Sequence, residues 1–205
     1  MRRTALAIAL ALSAAPALAQ TVPADIQGKG SVSDVTAGTY MVEPGHTQVE
    51  FTVGHMGISP FTGVFSNAEG SMTLDPANLS ATKLNVSIPI DSVQTTSAKL
   101  TEELNSAEWL DAAKYPKAEF RSTGVTKTGA DTANIAGNLT LHGVTKPVTI
   151  KAKFYGAAMN PMSKKASIGF VGTTTIKRSE FGVDKYVPLI SDETVLTIHA
   201  AFEKQ

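Results

Sequence analysis

The sequence predicts an all-β protein, a closed antiparallel barrel with one short helical insert, on three observations. Apolar and polar residues alternate over roughly eight or nine separate segments after residue 39, and a period of two turns one face of each segment toward a core. Only residues 96–112 carry the three-to-four-residue spacing of an amphipathic helix. Gly54, Gly63, Gly70, Gly137 and Gly172 fall inside alternating segments, where they weaken a flat sheet but permit the coiling that closes a barrel in preference to a sandwich.

The chain opens with Arg2 and Arg3, runs through apolar, uncharged residues 5–15 and reaches Ala17-Leu18-Ala19 before Gln20. A basic start, a short apolar run and small residues at its exit are the pattern of a secretory signal peptide, here cleaved after Ala19. The adjacent arginines also admit twin-arginine export, but Thr4-Ala5-Leu6 fit the general secretory route equally well and that route is favoured. No later apolar run approaches the roughly 20 residues a spanning helix needs, so no membrane-spanning segment is expected. Residues 20–38 contain Pro23, Gly28, Gly30 and Gly38 without an apolar period and read as a flexible leader, which leaves residues 39–204 as the folded domain.

Loss of residues 1–19 removes two arginines and no acid, leaving 16 basic residues against 18 acidic, a net of −2. That balance carries no footprint for nucleic acid or an anionic membrane. Cysteine is absent, so a thiol nucleophile, an iron–sulfur cluster and a thiolate zinc site are excluded. The remaining 186 residues are enough to stabilise an exported domain through its core without disulfides.

Taken in order, Tyr40 and Val42 open the first strand, Pro44-Gly45 turns it, and Val49, Phe51 and Val53 alternate with Glu50, Thr52 and Gly54. The phase carries His55 onto the apolar face and resumes after Gly57 with Phe61, Gly63 and Phe65. His55 is then either a core histidine whose nitrogens are satisfied by neighbours or a polar handle inside an apolar cavity. Residues 66–69 interrupt the phase, and Gly70, Met72 and Leu74 resume it on the other parity, which requires a bulge or a break. After the Asp75-Pro76-Ala77-Asn78 turn come Leu84, Val86, Ile88 and Ile90; Pro89, lacking an amide hydrogen, marks the end or edge of that strand.

Leu100, Leu104, Ala107 and Trp109 or Leu110 make the apolar face of one or two short helices, stopped by Tyr115-Pro116. Trp109 reads as core ahead of ligand stacker. Strands then follow at residues 118–122, 135–141, 148–154, 166–176 and 196–202, with a hairpin turn at His142-Gly143.

Catalytic signatures are missing: the sequence has no Gly-x-Ser-x-Gly elbow, phosphate loop, dinucleotide fingerprint or His-Glu-x-x-His helix. His46 and His142 fall in turns and His199 on a polar face, a dispersal that argues against a metal site. No catalytic residue and no cofactor is assigned. Lys177-Arg178-Ser179-Glu180-Phe181-Gly182 is the densest mixed stretch. It is either a solvated strand end with a Gly182 turn, or it holds Arg178 or Lys177 at the barrel mouth to meet a ligand's polar head.

Several stretches in order resemble the YceI-like periplasmic lipid-binding proteins, also described as polyisoprenoid-binding and lipocalin-like. They are His46-x-x-Val49-x-Phe51-x-Val53-x-His55-Met56-Gly57 with Gly63-x-Phe65; Tyr115-Pro116-x-Ala118-x-Phe120; Gly137-x-Leu139-Thr140-Leu141-His142-Gly143-Val144-Thr145-Lys146-Pro147-Val148; Arg178-Ser179-x-Phe181-Gly182; and Ser191-Asp192-Glu193 with Val195 and Leu196. The resemblance covers about residues 39–204. It implies an extended eight-stranded lipocalin-like barrel in the periplasm, whose tunnel takes an isoprenoid, an isoprenoid quinone or a fatty-acyl chain. It implies binding and not catalysis, and it leaves room for a homodimer.

The ligand-binding residues it implies here are Phe51, Val53, His55, Phe61, Phe65, Leu104, Phe120, Leu139, Leu141, Phe154, Phe170, Ile176, Arg178, Phe181 and Phe202. Two positions depart from the pattern: Glu103 stands where such proteins often carry a histidine, and Trp109 where phenylalanine is usual, which would shorten or reshape the tunnel. The alternatives are an enzyme using His55 as general base on a bound lipid and a structural barrel with a filled interior.

Overall fold

The computed structural model describes residues 31–205; the signal peptide read at 1–19 and the first part of the leader lie outside the described residues. The elements are β1 (Gly38–Val42), β2 (Gln48–His55), β3 (Ser59–Phe65), β4 (Glu69–Leu74), β5 (Lys83–Pro89), α1 (Ala98–Asn105), β6 (Lys117–Lys127), β7 (Thr132–Leu141), β8 (Val144–Met159), β9 (Ala166–Lys177) and β10 (Ile190–Lys204). In space β1, β4, β5, β6, β7, β8, β9 and β10 are neighbours in that order, and β10 pairs back onto β1. An all-β, antiparallel, eight-stranded barrel closes, as the alternation predicted, and the wide strand interior of such a barrel leaves room for side chains or one ligand.

Strand β10 explains how ten segments make eight barrel strands. Its C-terminal part pairs with β1 (Val42 opposite Phe202) and its N-terminal part with β2 (Phe51 opposite Leu196). β1 and β2 are therefore successive halves of one long strand, and β3 and β4, which pair with β2 and β1 in turn, are halves of the next. The first break falls at Pro44–His46, where the Thr47 side chain repairs the ladder: its hydroxyl donates to the Ala201 carbonyl (3.2 Å) and accepts from the Ala201 amide (3.0 Å). The second falls at residues 66–68, the parity change read from the sequence, where the Ser66 amide donates to Ser92 Oγ (3.1 Å).

The glycines act by close approach. A Cβ on Gly137 would sit 2.3 Å from the Phe120 ring, and one on Gly63 would sit 2.4 Å from the Phe51 ring. Each glycine lets an aromatic from the neighbouring strand lie flat across the backbone, which supports the curvature of the wall. The His142-Gly143 hairpin also follows from sequence: both residues have positive φ (50° and 75°), the two-residue turn whose twist matches antiparallel strands.

Two expectations change. Residues 31–38, read as part of the leader, contain a single 3-10 turn, Val32–Asp34, and bury Val35 in the core at the barrel's lower end. A lone valine after a polar run has no period to announce it. The helix is also shorter than its apolar spacing suggested. Ser97 caps α1 by accepting from the Leu100 amide (3.3 Å), and Ser106 ends it by donating its hydroxyl to the Glu103 carbonyl (2.7 Å), so that Trp109 lies in a following turn and Ala107 faces solvent. Residues 90–116 wall the upper side of the barrel where β5 has ended at Pro89. Gln94 and Val64 there exchange backbone hydrogen bonds of 2.8 and 2.9 Å on the free edge of β3. Among the described residues no helix is long and apolar enough to cross a membrane.

Candidate functional site

A cavity of about 770 Å³ runs through the barrel. Its lower end is bounded by Val35 and Leu79, its upper end by His55, Phe61 and Tyr186. The alternation of each strand supplies the wall: Phe51, Val53, Phe61 and Phe65 from the β2–β3 hairpin, Phe120 from β6, Leu139 and Leu141 from β7, Phe154 from β8, Phe170 and Ile176 from β9, Phe202 from β10, and Leu104 from α1. Edge-to-face ring contacts (Phe154 to Phe170 at 5.8 Å, Phe170 to Phe202 at 6.1 Å) continue this wall as an aromatic ladder.

Three of the residues assigned to the ligand differ from the rest of the wall, two lying on the cavity and one away from it. His55 lies on the cavity side, as its phase required, but at the strand end on an exposed rim. It is no core histidine, and its side chain makes no hydrogen bond, ion pair or ring contact among the described residues. Phe181 is 1 % exposed and packed away from the cavity; a motif position is not by itself a wall position. Arg178 reaches the cavity wall but is buried, and its guanidinium is committed to the backbone. Nε donates to the Ser191 carbonyl (2.9 Å), one terminal nitrogen to Val183 (2.8 Å) and the other to Ile190 (2.9 Å). The planar fork thus fixes the loop from residue 183 to 191. Burial lowers its pKa from the ordinary guanidinium value, with Asp192 and Asp184 opposing that shift.

The motif residues that carry the resemblance meet at this upper end. Tyr115 stacks edge-on against His142 (4.5 Å between centroids), His142 Nδ1 lies 3.1 Å from the Phe181 carbonyl oxygen, and a Cβ on Gly143 would strike the Tyr115 ring at 2.5 Å. Beside them the Ser179 amide (2.9 Å) and hydroxyl (2.8 Å) donate to the two Asp192 carboxylate oxygens. The Ser179 amide is the chief cause of an Asp192 pKa below the usual carboxylate range. Distant pieces of sequence are therefore joined as a scaffold for the mouth.

Sequence reasoning missed Val183, Tyr186 and Ile190, which complete the upper wall from a loop without periodicity. Trp109 belongs to core, as read, and also to the wall. It packs with Val93, Leu104 and Val183, touches the Tyr186 ring at 5.9 Å, and has the Arg178 guanidinium carbon 5.9 Å from its centroid. Glu103 also lies on the wall, exposed at the insert. Among the described residues no three metal-ligating side chains converge.

The YceI-like domain family matches residues 40–202. A UPF0312 protein of Pseudomonas aeruginosa (strain LESB58) is 42 % identical over 153 residues, which cover 75 % of this chain and 79 % of that protein. Among solved structures, the YCEI protein of Campylobacter jejuni superposes with a TM-score of 0.66 at 29 % identity, covering 74 % of this chain and 90 % of that one. A polyisoprenoid binding domain from Saccharophagus degradans, implicated in plant cell wall breakdown, shares the fold at a TM-score of 0.63 and 13 % identity, over 81 % of this chain and 98 % of that domain.

Proposed function

The chain belongs to the YceI-like family, and from that membership and the cavity we propose that it is a periplasmic binding protein for a long-chain isoprenoid or similar amphiphile. An isoprenoid quinone or a fatty-acyl chain falls in the same class. The observation that carries this reading is the cavity itself: about 770 Å³, walled by apolar side chains along the barrel axis and reaching an exposed rim at its upper end. That volume lies inside the range of about 300–1,000 Å³ typical of small-molecule sites. The polyisoprenoid-binding domain of the same fold supports the ligand class, and the Ala17-Leu18-Ala19 exit of the apolar N-terminal run supports export.

Removing a hydrocarbon chain from water favours binding by about 0.8 kcal/mol per methylene. Some 20 carbons would nominally give ~16 kcal/mol, near the ceiling for non-covalent complexes, and the cost of ordering the chain brings the affinity into the micromolar to nanomolar range. The protein binds and does not transform its ligand. An enzyme built on His55 would need a polar partner to orient the ring, and its side chain makes no hydrogen bond or ion pair among the described residues. Native mass spectrometry after mild purification tests the proposal. A discrete lipid-sized mass increment is expected, whereas a protein that stays empty and takes up neither a prenyl nor a fatty-acyl probe rules it out.

A further inference from the structure

The mouth of the barrel carries an apolar patch that the binding reading leaves unexplained. Two tips form it, the turn between β2 and β3 and the loop before β10, joined by a hydrogen bond from the Met56 amide to the Leu189 carbonyl (2.7 Å). Ile58 is 76 % exposed, Leu189 61 %, Tyr186 57 % and Met56 51 %. Adjoining large side chains rarely stand this open to water without a partner. Their backbones are also held against preference, since Met56 (φ 52°) and Tyr186 (φ 61°) occupy the left-handed region that bulky residues avoid.

The patch is the rim of the cavity. His55, Ser59 and Ile190, the chain neighbours of these residues, line the cavity, as does Tyr186. Charge at the tips is already answered: Asp184 interacts with Arg178, and Lys185 pairs with Glu108. A protein partner would find few polar groups to address here. A lipid surface needs none, and a tyrosine with an apolar body and a polar hydroxyl suits its boundary.

We propose that this rim docks onto a lipid bilayer, the four side chains entering the boundary between head groups and acyl chains, so that a ligand passes from bilayer to cavity without crossing water. The proposal rests on the lipid-binding reading above. It singles out this end of the molecule: Met159 and Met162, the exposed methionines by the β8–β9 turn, line no part of the cavity.

The test uses phosphatidylcholine vesicles, with and without phosphatidylglycerol, and a dansyl-labelled farnesyl probe delivered either in the vesicles or dispersed from ethanol. The variants are Ile58→Ser with Leu189→Ser, and Met162→Ser as the control at the other end. Wild type and the control are expected to co-sediment with both vesicle types, to stay bound at about 1 M salt, and to take probe from them. The double variant should lose vesicle binding by about tenfold or more while taking up ethanol-dispersed probe normally, which also shows that it is folded. Vesicle binding unchanged in the double variant overturns the proposal. So does a wild type that accepts probe from ethanol but ignores vesicles, and if that wild type sediments as a dimer while the double variant is a monomer, the rim belongs to a second copy of this chain. A wild type that takes up probe from neither source overturns the lipid-binding reading and this inference with it.

Discussion

The lower and upper halves of the barrel are built from the same alternating strands but complete their apolar contacts differently. Below, Tyr40, Met72, Leu74, Ile168 and Phe202 are buried against one another, and Val35 closes the end. Above, Phe51 and Phe65 remain half-buried around Trp109, Leu104 and Val183, and the rim side chains stand open to water. Both halves border the cavity, since Met72, Leu74 and Phe202 line it as Phe51 and Phe65 do, but the lower side chains also pack into the continuous core while the upper ones lean on the insert and on whatever fills the space. Burial of a side chain in the lower half should therefore appear as stability, and in the upper half as affinity for whatever fills the space.

Substitutions separate the two. Ile168→Ala leaves a void in the lower core and should cost about 2–5 kcal/mol in denaturant unfolding, and Trp109→Ala, which anchors the insert, about 3–5 kcal/mol. Phe65→Ala enlarges space that a ligand refills, so a smaller loss with a shift toward longer or bulkier bound chains is expected; equal destabilisation of Phe65→Ala and Ile168→Ala with unchanged lipid content would erase the distinction.

Arg178→Met comes next. It strips donors from three carbonyls of the mouth loop and should cost about 2–3 kcal/mol, with proteolysis beginning within residues 183–190 if the guanidinium organises that loop. Gly137→Ala forces the Phe120 ring off the β7 backbone, an overpacking change of about 1–3 kcal/mol read from the thermal midpoint.

The smallest effect is acid sensitivity. The folded-state pKa of Asp192 lies below its ordinary value because Ser179 donates to the ionised carboxylate. Its contribution is fully present above about pH 4, the unfolded carboxylate range, and is lost as pH falls through the depressed folded value. Asp192→Asn should therefore flatten part of the stability decline as pH falls below about 4. A variant whose acid limb matches wild type would remove Asp192 from the scaffold.

What could be read in advance follows the same division. The period of two revealed which side of each strand faces inward, so Phe51, Val53, Phe120 and Leu139 were placed correctly, and the parity change after Phe65 marked a real strand break. Alternation does not say what lies across the barrel, because opposite walls come from strands far apart in sequence. Nor does a motif say it: Arg178-Ser179-x-Phe181-Gly182 points both residues at the ligand, although Phe181 is packed away from the cavity and Arg178, at its wall, holds a loop. Val35 and Tyr186 were passed over because nothing periodic surrounds them. The motif pieces were legible as a set, yet their common task, bracing the mouth through Tyr115, His142, Ser179 and Asp192, required their meeting in space to be seen.

Affinity measured against ligand chain length tests the central claim most directly. A series of n-alkyl or prenyl probes sharing one head group, titrated against stripped protein, should bind more tightly with each added methylene by up to about 0.8 kcal/mol, or roughly fourfold, until the chain fills the barrel and the gain levels off. An affinity independent of chain length would mean that the barrel interior is closed to ligand and that both halves are ordinary core.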